Sequence, residues 1–204
     1  MSTQKKSGKS TLLMSVLMSA PGPLIVGLGL IAGRSATQLA DFIRRSAELL
    51  AIIASFVVYH LTDGERISEA RKHRLEQGVN CFVGATMCLS GSAMILIALL
   101  AGESETGNVI PGLTIAILGV IANTIFFFRY RKLSRMEQDA VLAVQSRLYG
   151  AKSLVDTCVT AALLTVALWP GSPAALYLDK IGSVVVAVYL VWCGIKTVRE
   201  SRQG

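Results

Sequence analysis

Long apolar runs separated by short polar clusters recur along this chain, and their lengths set the first expectation. Runs close to the roughly 20 residues needed to cross a hydrocarbon core of about 30 Å fall at approximately 12 to 33, 37 to 61, 78 to 101, 108 to 128, 140 to 169 and 176 to 197. None sustains a period-two alternation, and lipid accepts only helices or closed barrels as spanning structures. The pattern predicts an all-α membrane protein, a bundle of six transmembrane helices forming one domain over residues 1–204. Pro21, Gly22 and Pro23 interrupt the first run and are expected to kink it. That run continues to Ile31 without a convincing small-residue cleavage site, so it reads as a retained helix rather than a secretory signal.

Composition strengthens the membrane reading. With 52% hydrophobic and 16% charged residues in 204, too little polar sequence remains to coat a soluble globule. Loops of about 10 to 16 residues and a short tail after the sixth run lead us to expect no C-terminal soluble domain.

Charge then gives an orientation. Lys5, Lys6 and Lys9 precede the first run; Arg66, Arg71, Lys72 and Arg74 lie between the second and third; Arg129, Arg131, Lys132 and Arg135 lie between the fourth and fifth; Lys196, Arg199 and Arg202 follow the sixth. The alternate connections carry Arg34, then Glu103 and Glu105, then Asp179 and Lys180. Basic residues concentrate on the cytoplasmic side of membrane proteins, so both termini are expected in the cytoplasm. The net charge of +7 has the same origin. Without interleaved aromatics, these bases set topology and do not point to nucleic acid.

Against this background, charges inside the runs are conspicuous: Arg44 and Glu48 in the second, Lys152 and Asp156 in the fifth. Ionisable groups in lipid are costly, face a protein interior or a water path, and pair with one another. The spacing of four places each pair on one helix face, so the two acids and two bases can neutralise each other. Around them stand Asp41, three residues before Arg44 and four before Arg45, and Gln145 and Tyr149, seven and three residues before Lys152. Arg147 reads as a snorkelling side chain. One reading is a polar substrate and proton path through Asp41, Arg44, Glu48, Tyr149, Lys152 and Asp156; the other is a set of ion pairs locking the second helix to the fifth.

The order of residues also resembles a known family. Gly29-Leu-Ile-Ala-Gly-Arg-Ser35-Ala-Thr-Gln-Leu-Ala-Asp41, leading on to Glu48, is similar to the junction of helices one and two in the cation diffusion facilitators. Arg74-Leu-Glu76, Asn123, Asp156 with Thr160, and Asp179-Lys-Ile follow in matching order over roughly residues 12 to 200. The resemblance implies a six-helix homodimer of the inner or plasma membrane, bacterial in type, that exports cations in exchange for protons. It also implies a tetrahedral metal site with ligands at positions 44, 48, 152 and 156. Arg44 and Lys152 in their charged forms offer donors only, whereas zinc requires lone pairs. Glu48 and Asp156 therefore remain as the carboxylates able to meet a metal, and zinc or another divalent cation enters as a possible substrate, with no resident cofactor. A non-transporting relative that scaffolds a partner through the same bundle is the alternative.

Other features carry less. Cys81, Cys88, Cys158 and Cys193 lie within the runs without a CxxC spacing; they read as packing residues, although Cys81 and Cys88 share a face able to take a soft metal. His60, Asp63, Glu65, Glu69 and His73 read as a solvated loop, with cation gathering the sharper alternative. Met14, Met18, Met87 and Met94 read as packing rather than a copper track, and Gly27, Gly29 and Gly33, or Gly84 and Gly91, as sites of close helix contact. No HExxH, GxSxG or phosphate-binding glycine loop occurs, so an enzyme is not expected.

Overall fold

The computed structural model describes residues 2–32, 36–62, 68–100, 110–168 and 173–203. All described elements are helical: α1 (Ser2–Ser19), α2 (Pro21–Ala32), α3 (Ala36–Thr62), α4 (Glu69–Leu100), α5 (Ile110–Glu137), α6 (Ala140–Leu168) and α7 (Pro173–Gln203). The first expected helix is divided at its prolines. Ala20 forms the turn, and Pro21, which has no N–H to offer an intrahelical bond, becomes the first residue of α2. Helices α1 and α2 together take the place of the first run, so the bundle has the expected order.

The helices run beyond the apolar runs that signalled them. Arg71, Lys72 and Arg74 lie on the first turns of α4; Arg129 to Arg135 lie within α5; Lys196 to Arg202 lie within α7. Hydropathy marks where lipid would end, not where the backbone stops being helical, and Arg, Lys, Glu and Gln are good helix formers. The connection between α5 and α6 is consequently not a loop of about ten residues but Gln138 and Asp139. Gln138 takes φ 50°, the left-handed conformation of a tight reversal. Asp139 Oδ1 then accepts from the Leu142 amide at 3.0 Å, capping α6.

Polarity is turned inside out. Leu24, Ile25, Leu28, Leu99 and Trp192 stand on the outside, while Glu48, Ser55, Ser90, Gln145 and Thr197 are buried. A soluble protein would not present so much contiguous apolar surface. Among the described residues, Glu69–Leu96 is long and apolar enough to cross a membrane by length and composition.

The most extensive helix contacts are α4 with α7 and α5 with α6, followed by α3 with α4. Glycine permits the first of these. A Cβ on Gly194 would lie 2.6 Å from the Gly84 carbonyl oxygen, and one on Gly91 would lie 2.7 Å from that of Ala187. The expectation that Gly84 and Gly91 mark close approach is met, with Gly194 as the partner on α7. Gly194→Ala is expected to force α4 and α7 apart at a cost of about 1–3 kcal/mol, typical of overpacking. An unfolding temperature in detergent equal to that of the native chain would contradict this.

Candidate functional site

Glu48 lies at the centre of the charged interior. Its Oε1 accepts from Ser90 Oγ on α4 at 3.1 Å and faces Arg44 Nη1 at 3.4 Å; its Oε2 meets Lys152 Nζ on α6 at 3.3 Å. One carboxylate thus joins α3, α4 and α6. Arg44 is its same-helix neighbour, as the spacing predicted. Lys152 crosses to Glu48, a link between the second and fifth runs of the kind the ion-pair reading expected, and does not pair with Asp156 one turn along its own helix.

Asp156 has a different environment. Its Oδ2 accepts from Asn123 Nδ2 on α5 at 2.6 Å, and among the described residues it makes no ion pair. Space for the carboxylate comes from Gly119, where an added Cβ would lie 2.6 Å from Asp156 Oδ2. The neighbouring bases still act on it through space, but a neutral amide holds it.

The two acids and two bases line one cavity of about 550 Å³, bounded by α1, α2, α3, α5 and α6. Arg45, Asn123 and Tyr149 share its wall. Tyr149 is buried, its ring centroid 5.2 Å from Lys152 Nζ and its hydroxyl 3.3 Å from that of Ser19. Its ring meets those of Phe126 and Tyr130 in tilted contacts, with centroids 5.0 Å and 5.3 Å away, and Tyr130 in turn reaches Ser15 at 2.7 Å. Gln145 lies outside this wall and donates to Ser55 Oγ at 2.7 Å. Arg147 does not simply snorkel, because Glu200 on α7 takes it at 2.5 Å.

Of the predicted path, Arg44, Glu48, Tyr149, Lys152 and Asp156 converge here. The side chain of Asp41 lies outside the described residues, as do Asp63 and Glu65 of the acidic and histidine-bearing loop and the side chains of Asp179 and Lys180. Sequence reasoning did not assign a site role to Ser90, Gly119 or Asn123, although Asn123 stood out as a family landmark. Small polar residues and glycines in apolar runs look like packing, and only their partners reveal them.

The other metal candidates do not assemble. Among the described residues no three His, Cys, Asp or Glu side chains converge in a way that could hold an ion. All four cysteines are free thiols. Met14 is exposed, Met18 lines the charged cavity and Met87 is buried on another helix, so they form no continuous track.

A helical bundle that is apolar outside and encloses a charged cavity has the architecture of a membrane transporter. Residues 12–204 match the cation efflux transmembrane domain, and the chain belongs to that family of cation transporters, which makes it an integral membrane protein. The resemblance read from Gly29 to Asp41, Arg74 to Glu76, Asn123 and Asp156 is borne out by this match. No characterised protein matches the chain individually.

Proposed function

We propose that this chain is a secondary transporter that exchanges a cation for protons, with Asp156 as the carboxylate that alternates between them. The observation carrying this reading is the contrast between the two buried acids. Glu48 is engaged by Arg44, Lys152 and Ser90, whereas Asp156 stands on the cavity wall with a neutral amide as its hydrogen-bonding partner. A carboxylate without a fixed cation is the one able to receive a mobile cation. Arg44 and Lys152 supply positive charge where the family's tetrahedral site would supply lone pairs, so the cargo is not held as a four-coordinate zinc ion.

The path residues are Asp41, Arg44, Glu48, Tyr149, Lys152 and Asp156. Tyr149 and Lys152 line the same cavity as the two acids. The protein acts in the inner or plasma membrane of a bacterium, with both termini in the cytoplasm and a single domain over residues 1–204. It acts as a twofold dimer, the commonest closed assembly.

In proteoliposomes under a pH gradient, metal and organic cations are offered to the native chain, to Asp156→Asn and to Glu48→Gln. The native chain is expected to carry at least one cation, and Asp156→Asn to reduce that flux to background. Undiminished flux in Asp156→Asn would refute the mechanism. A second reading, a scaffold that does not transport, is favoured by the three-helix linkage at Glu48; no flux of any cation through folded native protein would support it.

A further inference from the structure

The final turns of α5 carry four bases, Arg129, Arg131, Lys132 and Arg135, and all four are exposed. None makes an ion pair among the described residues. The neighbouring helix ends differ. On α4, Glu69 and Glu76 are interleaved with Arg71, Lys72 and Arg74, and on α7 Glu200 takes Lys196 at 3.8 Å as well as Arg147. The nearest acid on α5 itself, Glu137, accepts from the buried Tyr59 hydroxyl on α3.

The four bases end a lipid-facing stripe. Leu118, Ile121, Ile125 and Phe128 are exposed at helical spacing along α5, and Lys132 and Arg135 follow Phe128 by four and seven residues on the same face. Arg131 and Arg129 flank them on either side, so at 3.6 residues per turn the four bases occupy less than half of the circumference. At 1.5 Å per residue the cluster is about 9 Å deep, close to the roughly 5–8 Å of one headgroup layer. The apolar part of the stripe therefore meets acyl chains where its basic part meets headgroups.

Two simpler accounts of these bases fall short. The negative end of the helix macrodipole attracts cations and explains Arg135 in the last turn, but that effect fades within a turn and leaves Arg129 to Lys132 unexplained. A topological signal counts bases near a span and does not require any of them to be held in place. Arg131 is held: its Cζ lies 5.8 Å from the Phe127 ring centroid. That ring is itself seated against Gly150 on α6, where an added Cβ would lie 3.0 Å from it. A guanidinium restrained in this way presents its fork to a phosphate with less ordering left to do.

We propose that this face binds an anionic phospholipid, its acyl chains along Leu118 to Phe128 and its phosphate held by Arg131, Lys132 and Arg135, with Arg129 beside them. Juxtamembrane clusters of four or more bases attract anionic lipid, each base contributing about fivefold near the surface. The occupant is a lipid because the apolar stripe runs unbroken into the basic cluster, whereas a free phosphate would use the bases alone. A second copy packed about this face would set like charges against like. The site lies on the outside of the bundle and does not depend on transport through the charged cavity.

The purified full chain in detergent is titrated with phosphatidylglycerol or phosphatidylcholine, and bound lipid is counted by native mass spectrometry. Phosphatidylglycerol is expected to bind about tenfold or more tightly than phosphatidylcholine. Replacing all four bases by Gln is expected to weaken phosphatidylglycerol by about tenfold or more, whereas Arg199→Gln with Arg202→Gln on α7 changes it by less than about twofold. Gln suits exposed helical positions; should the fourfold variant not fold, Arg131→Gln with Lys132→Gln carries the same test with a loss of about tenfold or more. Equal binding of the two lipids by the native chain would overturn the proposal, as would an equal loss in the α5 and α7 variants, the mark of diffuse charge. Displacement of the lipid by millimolar glycerol phosphate would show a site for free phosphate instead. A changed oligomeric state in the α5 variant with unchanged lipid preference would assign the face to a second copy.

Discussion

Glu48→Gln is expected to destabilise the bundle by about 3–5 kcal/mol, the usual cost of removing one member of a buried ion pair. The side chains of Arg44 and Lys152 are only 12% and 16% exposed. Without Glu48, Lys152 keeps the Tyr149 ring as its remaining contact among the described residues, and a cation over an aromatic face recovers only about 0.5–2 kcal/mol. Set against a total stability of about 5–15 kcal/mol, such a loss is plainly visible in thermal unfolding. Removing the stranded charge should repair much of it: Glu48→Gln with Lys152→Met is expected to unfold at a higher temperature than Glu48→Gln alone, a non-additivity expected of groups in contact. If the single variant unfolds at the native temperature, Glu48 is not compensating these bases.

The second large effect is a gain of function. Arg44→Asp combined with Lys152→His is expected to raise zinc affinity well above that of the native chain. Lys152 Nζ reaches within 3.3 Å of Glu48, and all four positions line one cavity, so the substitutions place four lone-pair donors around a shared space. Zinc sites with a full ligand set gain about 10 kcal/mol or more, so calorimetry on the purified variant should show strong binding that either substitution alone does not provide. Absence of heat in the double variant would show that these positions cannot converge on a single ion.

Much of this was legible in the chain for a single physical reason: lipid leaves few choices. Apolar runs of spanning length had to be helices, and charges within them had to face inward, so Arg44, Glu48, Lys152 and Asp156 were identifiable before their positions were known. Two things were not. Helix ends escaped because the charged residues that stop a hydropathy run, such as Arg131 and Arg199, continue a helix without penalty. Which of the two acids Lys152 takes also escaped, because the sequence offered both the same-helix neighbour and the lock between helices, and a long flexible side chain chose the carboxylate across the interface. The role of Ser90 required three-dimensional proximity, since it looks unremarkable in its own segment.

The reversal at Gln138 and Asp139 has a mechanical consequence. With so little chain between them, and extensive contact along their lengths, α5 and α6 move as one body. The bond between Asn123 and Asp156 lies wholly inside that body and travels with it, whereas the contact between Lys152 and Glu48 spans the seam to α3. Under the proposed mechanism, any rocking of the hairpin against α3 would carry Asp156 with its Asn123 partner intact while stretching the Glu48–Lys152 contact like a latch.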